Sequence, residues 1–166
     1  AVEQAANEAA TSPKNVLPEP SKAQIDAGNW QKGHVSLHGL DISIEYPRGS
    51  ERSGTSKAGV AWTQRMAHHY GYIRGTEGKD NEQVDVYLGP EAGNPRFDVY
   101  VVDQIVPETG KFDEHKAMIG FNSFGAARDG YLANYSPDWK GLGNITAMSM
   151  EEFKSWVTSR DAKKPA

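Results

Sequence analysis

The sequence contains no cysteine, which excludes disulfides and thiolate metal sites and is compatible with the cytoplasm without proving it. It has no run of eighteen apolar residues, so no helix is expected to cross a membrane. No basic segment followed by an apolar one opens it, so no signal peptide is expected either. Positive charge is also short: 18 Lys and Arg stand against 22 Asp and Glu, a formal net charge of -4. That balance argues against general nucleic-acid binding and leaves room only for a local basic pocket. Hydrophobic residues make up 37% of 166 positions, so one domain with an ordinary core should carry additional tail and loop.

Residues 1–20 read as a flexible tail or linker. Val2 is the only large apolar side chain in its alanine-rich first ten, and Pro18-Glu19-Pro20 breaks any helix. Such a segment is either a processed end or a connection to another domain. Residues 21–160 read as a single domain, and residues 161–166 as a frayed end. Within it, Ser21 caps a short helix that stops at Gly28. Residues 34–46 have strand character with a turn at Gly39, and Glu45 faces away from Ile42 and Ile44. Residues 47–59 form a loop carrying Arg48, Arg52 and Lys57, and residues 62–66 return to strand. Two strong strands, 97–105 and 114–121, flank a turn at Pro107 to Gly110. Ser123 caps a helix reaching Tyr135, residues 136–143 are loop, and Ser149 with Glu152 forms a capping box for a last helix. That helix buries Met150, Phe153, Trp156 and Val157.

The densest chemistry lies in residues 69–89. Asp80, Glu82 and Asp85 fall within six positions, and three clustered carboxylates repel one another unless a cation stands between them. With oxygen donors alone, that cation is a hard divalent ion such as Mg2+. A solvated acidic hairpin is the competing reading. Asp85 is aimed by strand alternation, opposite to Val84, Val86 and Leu88, whereas Asp80 and Glu82 belong to the turn. If Val106 pairs with Lys111, the register sets Asp103 opposite Glu114, with Lys116 on the same face two residues on; a slip by one would substitute Asp113. Arg48, Arg52 and Lys57 read equally well as solvated loop charges, and Tyr70 and Tyr72 as half-buried strand tyrosines. The five histidines do not build a zinc site: His34 and His38 could share a face but lack a third ligand, and His68 and His69 alternate.

Tyr70-Gly71-Tyr72-Ile73 followed by Asp80-Asn81-Glu82-Gln83-Val84-Asp85-Val86 resembles the signature of the soluble family I inorganic pyrophosphatases. Theirs is a Tyr-Gly-Tyr-Ile strand and then Asp-Gly-Asp-Pro-hydrophobic-Asp-hydrophobic. Closer still is the resemblance to pyrophosphatase-like domains of phage and prophage proteins, over residues 33–143. The resemblance implies an α+β, mainly β fold: a small closed five-stranded barrel of the oligonucleotide-binding type with two flanking C-terminal helices. It implies hydrolysis of pyrophosphate to two phosphates by metal-activated water, with several Mg2+ ions, or Mn2+ in their place. Carried over, Asp80, Asp85, Asp103, Glu114 and Glu45 would hold metal. Glu82, Asp85, Tyr70 and Lys116 would act in catalysis, with Glu82 as base for the attacking water. Arg48, Arg52, Lys116, Tyr135 and Lys140 would bind substrate. A host-cell cytoplasm or a phage particle would be its setting, with fusion to or association with phage proteins and a homo-oligomer both open. Two departures bear on this. Glu82 replaces aspartate, shifting the carboxylate by about a bond length, a scale to which catalysis is sensitive. Gln83 replaces proline. These leave open a catalytically weakened binding or structural module of a phage-encoded protein, or a hydrolase of another phosphoanhydride such as a nucleotide.

Overall fold

The computed structural model describes Val2 and residues 33–56, 58–76, 78 and 83–166. The expected tail apart from Val2, the helix at 21–28, Lys57, and the carboxylates Asp80 and Glu82 lie outside the described residues. Among the described residues nine strands and two helices follow in the order β1 (Gly33–Leu37), β2 (Leu40–Tyr46), β3 (Glu51–Thr55), β4 (Ala61–Arg65), β5 (His69–Ile73), β6 (Val84–Leu88), β7 (Val99–Ile105), β8 (Phe112–Ile119), α1 (Phe124–Leu132), β9 (Leu142–Met148) and α2 (Met150–Val157), with a 3-10 turn at Arg160–Lys163.

Seven strands form one sheet in the order β1-β2-β5-β6-β8-β7-β9, and β3 and β4 pair as a separate hairpin. All neighbours in the sheet are antiparallel except β6 and β8, which run parallel. The expected closed five-stranded barrel is therefore corrected to an open sheet, with β1 and β9 as its edges. The reason lies in side-chain alternation. A small barrel has one apolar interior, but here both faces are apolar and each has its own cover. On one face Ile42, Ile44, Val86, Val101 and Ala117 pack with Met150, Phe153 and Val157 of α2. On the other, Tyr70, Tyr87, Val102 and Met118 pack with Ala127 and Tyr131 of α1.

Local chemistry explains the elements that were legible. Ser123 accepts from the Ala126 N–H at the start of α1, and Ser149 and Glu152 cap α2 reciprocally. Gly110 closes the β7–β8 hairpin at φ 72, a conformation glycine adopts without a Cβ penalty. Gly71, between the two tyrosines of β5, lies so close to β2 that a Cβ there would run into the Ser43 carbonyl oxygen. Two strands stand where none was expected: β3 within the loop of residues 47–59, and β9, which begins at Leu142 inside the expected loop of residues 136–143.

The β7–β8 register differs from expectation by one residue. Val106 N does donate to Lys111 O at 2.9 Å, and Ile105 pairs with Phe112, but the next pair is Gln104 with Glu114. Asp113 is the extra residue of a bulge, which flips the parity of everything beyond it. Asp103 accordingly pairs with His115, not Glu114.

Candidate active site

Asp85 and Lys116 face each other across the parallel pair β6–β8, on the sheet face that carries α1. Lys116 is 1% exposed, and its ammonium reaches three oxygens at 2.7 Å each: Tyr70 Oη, Asp85 Oδ2 and Glu114 Oε1. All three ammonium protons are thereby used. Tyr70 Oη in turn donates to Asp85 Oδ2 at 2.7 Å, closing a triangle. Alternation along β8 places Glu114 and Lys116 on one face, and the Tyr-Gly-Tyr order of β5 places Tyr70 there too.

Burial works against a charge on Lys116, but Asp85, Tyr70, Tyr135 and Glu114 outweigh it and hold the ammonium well above the ordinary lysine range. Burial raises the Glu114 carboxyl, against Lys116 and with Asp85. Burial likewise pushes the Tyr70 phenol well above its usual value, so it remains a donor.

Arg52, from β3, stands beside this cluster. Its guanidinium lies 4.5 Å from the Tyr70 ring centre, 5.9 Å from Tyr46 and 5.4 Å from Trp62, an arrangement that fixes a cation by cation–π attraction. Together Arg52, Lys116, Glu114 and Tyr135 line a basin of about 440 Å³.

Gln104 occupies the place across the hairpin that Asp103 was expected to fill. Its Oε1 accepts from Tyr131 Oη at 2.7 Å and Tyr135 Oη at 3.0 Å, and its Nε2 donates to Asp113 Oδ2 at 3.3 Å. Asp103 is turned to the opposite sheet face. There its Oδ1 accepts from the Ala166 N–H at 2.9 Å and lies 3.2 Å from His115 Nε2.

The structure thus gathers Asp85, Glu114, Lys116, Tyr70, Arg52 and Tyr135, and separates Asp103 from them. Glu45 is half-buried at an irregularity of the β2–β5 pairing. Arg48 is exposed and lines a different cavity, about 360 Å³, with His68 and His69. Lys140 is exposed in the loop before β9 and is not among the residues lining the basin. Asp80 and Glu82 lie outside the described residues, and the described residues on either side of them are tied together. The buried Thr76 hydroxyl donates to Ile73 O at 2.6 Å and accepts from Val84 N at 3.0 Å, and Gln83 Oε1 accepts from Gly75 N at 3.2 Å. Gln83, in place of proline, adds a tie across the turn.

Sequence reasoning passed over Gln104, Thr76 and the indoles Trp62 and Trp139. Only the one-residue bulge at Asp113 could have pointed to Gln104, and a bulge leaves no periodic signal.

As donors the described carboxylates are hard oxygens, matching a divalent ion of the Mg2+ kind. Asp85 and Glu114 already converge on one cationic point. Among the described residues no group of three His, Asp or Glu that could hold a metal ion is assembled. Also among the described residues, no helix is long and apolar enough to cross a membrane.

A family model described as Inorganic Pyrophosphatase matches residues 22–158. No curated protein matches the chain.

Proposed function

The chain belongs to the inorganic pyrophosphatase family, and on that footing we propose that it hydrolyses inorganic pyrophosphate to two phosphates with the support of Mg2+. The observation that carries this reading is the buried Lys116, tied at 2.7 Å to Asp85, Glu114 and Tyr70 at the floor of a basin. Phosphoanhydride cleavage places charge on transferring oxygens, and catalysis of it consists chiefly of positioning and neutralisation.

In this reading Asp85 and Glu114, joined by Asp80 and by Glu45, would hold the metal. When bound, the metal lowers the pKa of a water and screens the substrate's charge. Lys116 and Arg52 face the phosphoryl oxygens, and Tyr70 donates its hydroxyl to keep Asp85 in place. Tyr135 borders the substrate. Glu82 remains the proposed base for the attacking water. Arg48, Lys140 and Asp103, which the fold places elsewhere, have no part in the proposal.

One observation favours the second reading, a weakened binding or structural module of a phage-encoded protein. The resemblance leads one to expect two carboxylates across the hairpin, and Gln104 supplies an amide at one of those positions. A metal site short of one negative charge binds its ions less tightly.

Phosphate release from pyrophosphate in Mg2+, beside the Asp85→Asn variant and a chelator control, tests the proposal. We expect release that EDTA abolishes and that Asp85→Asn lowers by about a hundredfold or more. Equal release from both proteins, or none from either, would sink the enzymatic reading.

A further inference from the structure

The basin is larger and more apolar than pyrophosphate requires. Its volume of about 440 Å³ falls in the range of pockets that take organic ligands, roughly 300–1,000 Å³. Beyond the polar groups, its walls include Trp62, Met66, Val106, Pro107 and Trp139. Pyrophosphate is a hydrated polyanion with no apolar surface, so indoles presented to it gain nothing. A flat heteroaromatic ring gains from stacking on them.

Both indoles are held in place. Trp139 Nε1 donates to Tyr131 Oη at 2.8 Å, and its ring stacks on Tyr135 at 4.8 Å and 11°. It rests on Gly141, where a Cβ would collide with the ring. Trp62 lies over Gly54, where a Cβ would come within 2.7 Å of the indole, yet it keeps 37% of its surface exposed. Arg52 bridges the two chemistries, 5.4 Å from the Trp62 ring centre and 4.5 Å from that of Tyr70, whose hydroxyl touches Asp85 and Lys116. A ligand that spans phosphoryl groups and a planar ring fits this order of side chains, and rings fixed beforehand lose little freedom when it binds.

We propose that the site accepts nucleoside diphosphates, with the diphosphate at Arg52 and Lys116 and the base against Trp62 or Trp139. This rests on the phosphoanhydride reading of the same site and extends its substrate class. In the reaction, water oxygen bonds to the β-phosphorus and the bond from that phosphorus to the bridging oxygen breaks. The bridging oxygen leaves with the nucleoside monophosphate. The water's proton passes to a site carboxylate and then to solvent, giving monophosphate, phosphate and H+ from diphosphate and water.

The test uses the full chain in Mg2+ with ADP, GDP and pyrophosphate, reading phosphate release, and separately reads tryptophan fluorescence on addition of AMP. AMP should quench the fluorescence and compete with ADP. Trp62→Ala should lower kcat/KM for ADP relative to that for pyrophosphate by about tenfold, the size of one lost base–indole stack. Trp62→Phe, which keeps an aromatic face, should restore most of the ratio, and Trp139→Ala provides the same comparison on the second indole. Turnover of pyrophosphate with neither binding nor hydrolysis of a nucleotide would overturn the inference and leave the pyrophosphatase reading intact. So would ratios unmoved in both alanine variants. If neither substrate yields phosphate, the pyrophosphatase reading fails by itself. AMP binding that Trp62→Ala or Trp139→Ala weakens would then still support the nucleoside site, and absence of AMP binding would overturn it.

Discussion

Asp85 Oδ2 lies 2.7 Å from the Lys116 ammonium, across the one parallel pairing in the sheet. The parallel register sets the two residues side by side, and Glu114, two positions before Lys116 on the same face, completes a carboxylate–ammonium–carboxylate chain. A buried cation between two half-buried acids neutralises a cleft that would otherwise repel itself. It also means that a divalent ion bound as proposed would act on the same two carboxylates as Lys116.

Replacing Lys116 by methionine should therefore destabilise the metal-free protein, by about 3 kcal/mol, since Asp85 and Glu114 are left facing each other without compensation. Mg2+ should recover more stability in Lys116→Met than in the wild type, because the ion then supplies the missing positive charge. Thermal melts of both proteins with EDTA and with Mg2+ measure this. An equal Mg2+-induced shift in the two would contradict it.

If Glu114 holds metal as proposed, its raised carboxyl should make that binding depend on pH. Its proton is held more tightly folded than unfolded, so its contribution to stability is fully present below the ordinary value of 4.5 and is lost as pH rises through the higher folded value. Metal binding runs the other way, because an ion needs the ionised carboxylate. Below the folded value, apparent Mg2+ affinity should weaken by about tenfold per pH unit, and Glu114→Gln should lack that step. Lys116 sets the alkaline side: its folded value is raised, so its contribution persists below 10.5 and is lost only as pH climbs through the folded value. Mg2+ titrations from pH 4 to pH 7 and melts at high pH check both limbs.

The two strands β5 and β6 were legible because period-two alternation and the Tyr-Gly-Tyr spacing carry them, and the caps of α1 and α2 follow from Ser123, Ser149 and Glu152 alone. The β3 strand was hidden because Glu51, Arg52, Ser53, Gly54 and Thr55 offer no apolar face; Arg52 is fixed by aromatic rings from β2, β4 and β5 instead. The β9 strand was hidden for a similar reason, with Gly143 and Asn144 interrupting its pattern at the sheet edge. Closure into a barrel was expected from the resemblance, and the sequence could not correct it, because alternation along a strand shows two faces without showing how many layers cover them. Asp103 was misplaced because one bulged residue inverts every later face.

Gly71→Ala should be among the most damaging small substitutions in the chain. The added methyl would enter the Ser43 carbonyl and crowd Ile44, forcing β2 and β5 apart and moving Tyr70 away from Asp85. A cost of about 3 kcal/mol or more is expected from such overpacking, with loss of activity exceeding what the lost folded fraction explains. Chemical denaturation beside phosphate release on the folded protein separates the two effects.

Asp103 and Gln104 make a paired test of which hairpin residue serves the site. Asp103→Asn should leave kcat/KM within about twofold, because the side chain lies on the far face; it should instead lower stability by about 1 kcal/mol by weakening the hydrogen bond it accepts from Ala166 N–H. Gln104→Glu keeps an acceptor for Tyr131 and Tyr135 but exchanges the amide donated to Asp113 for a second carboxylate. Without metal the two acids repel and the variant should melt earlier than the wild type. With Mg2+ the order should reverse, and the ion should bind about tenfold more tightly, as one further carboxylate joins Asp85 and Glu114. Calorimetric Mg2+ titration of the two variants decides the matter: a change of Mg2+ affinity in Asp103→Asn with none in Gln104→Glu would place the hairpin's metal ligand back on Asp103.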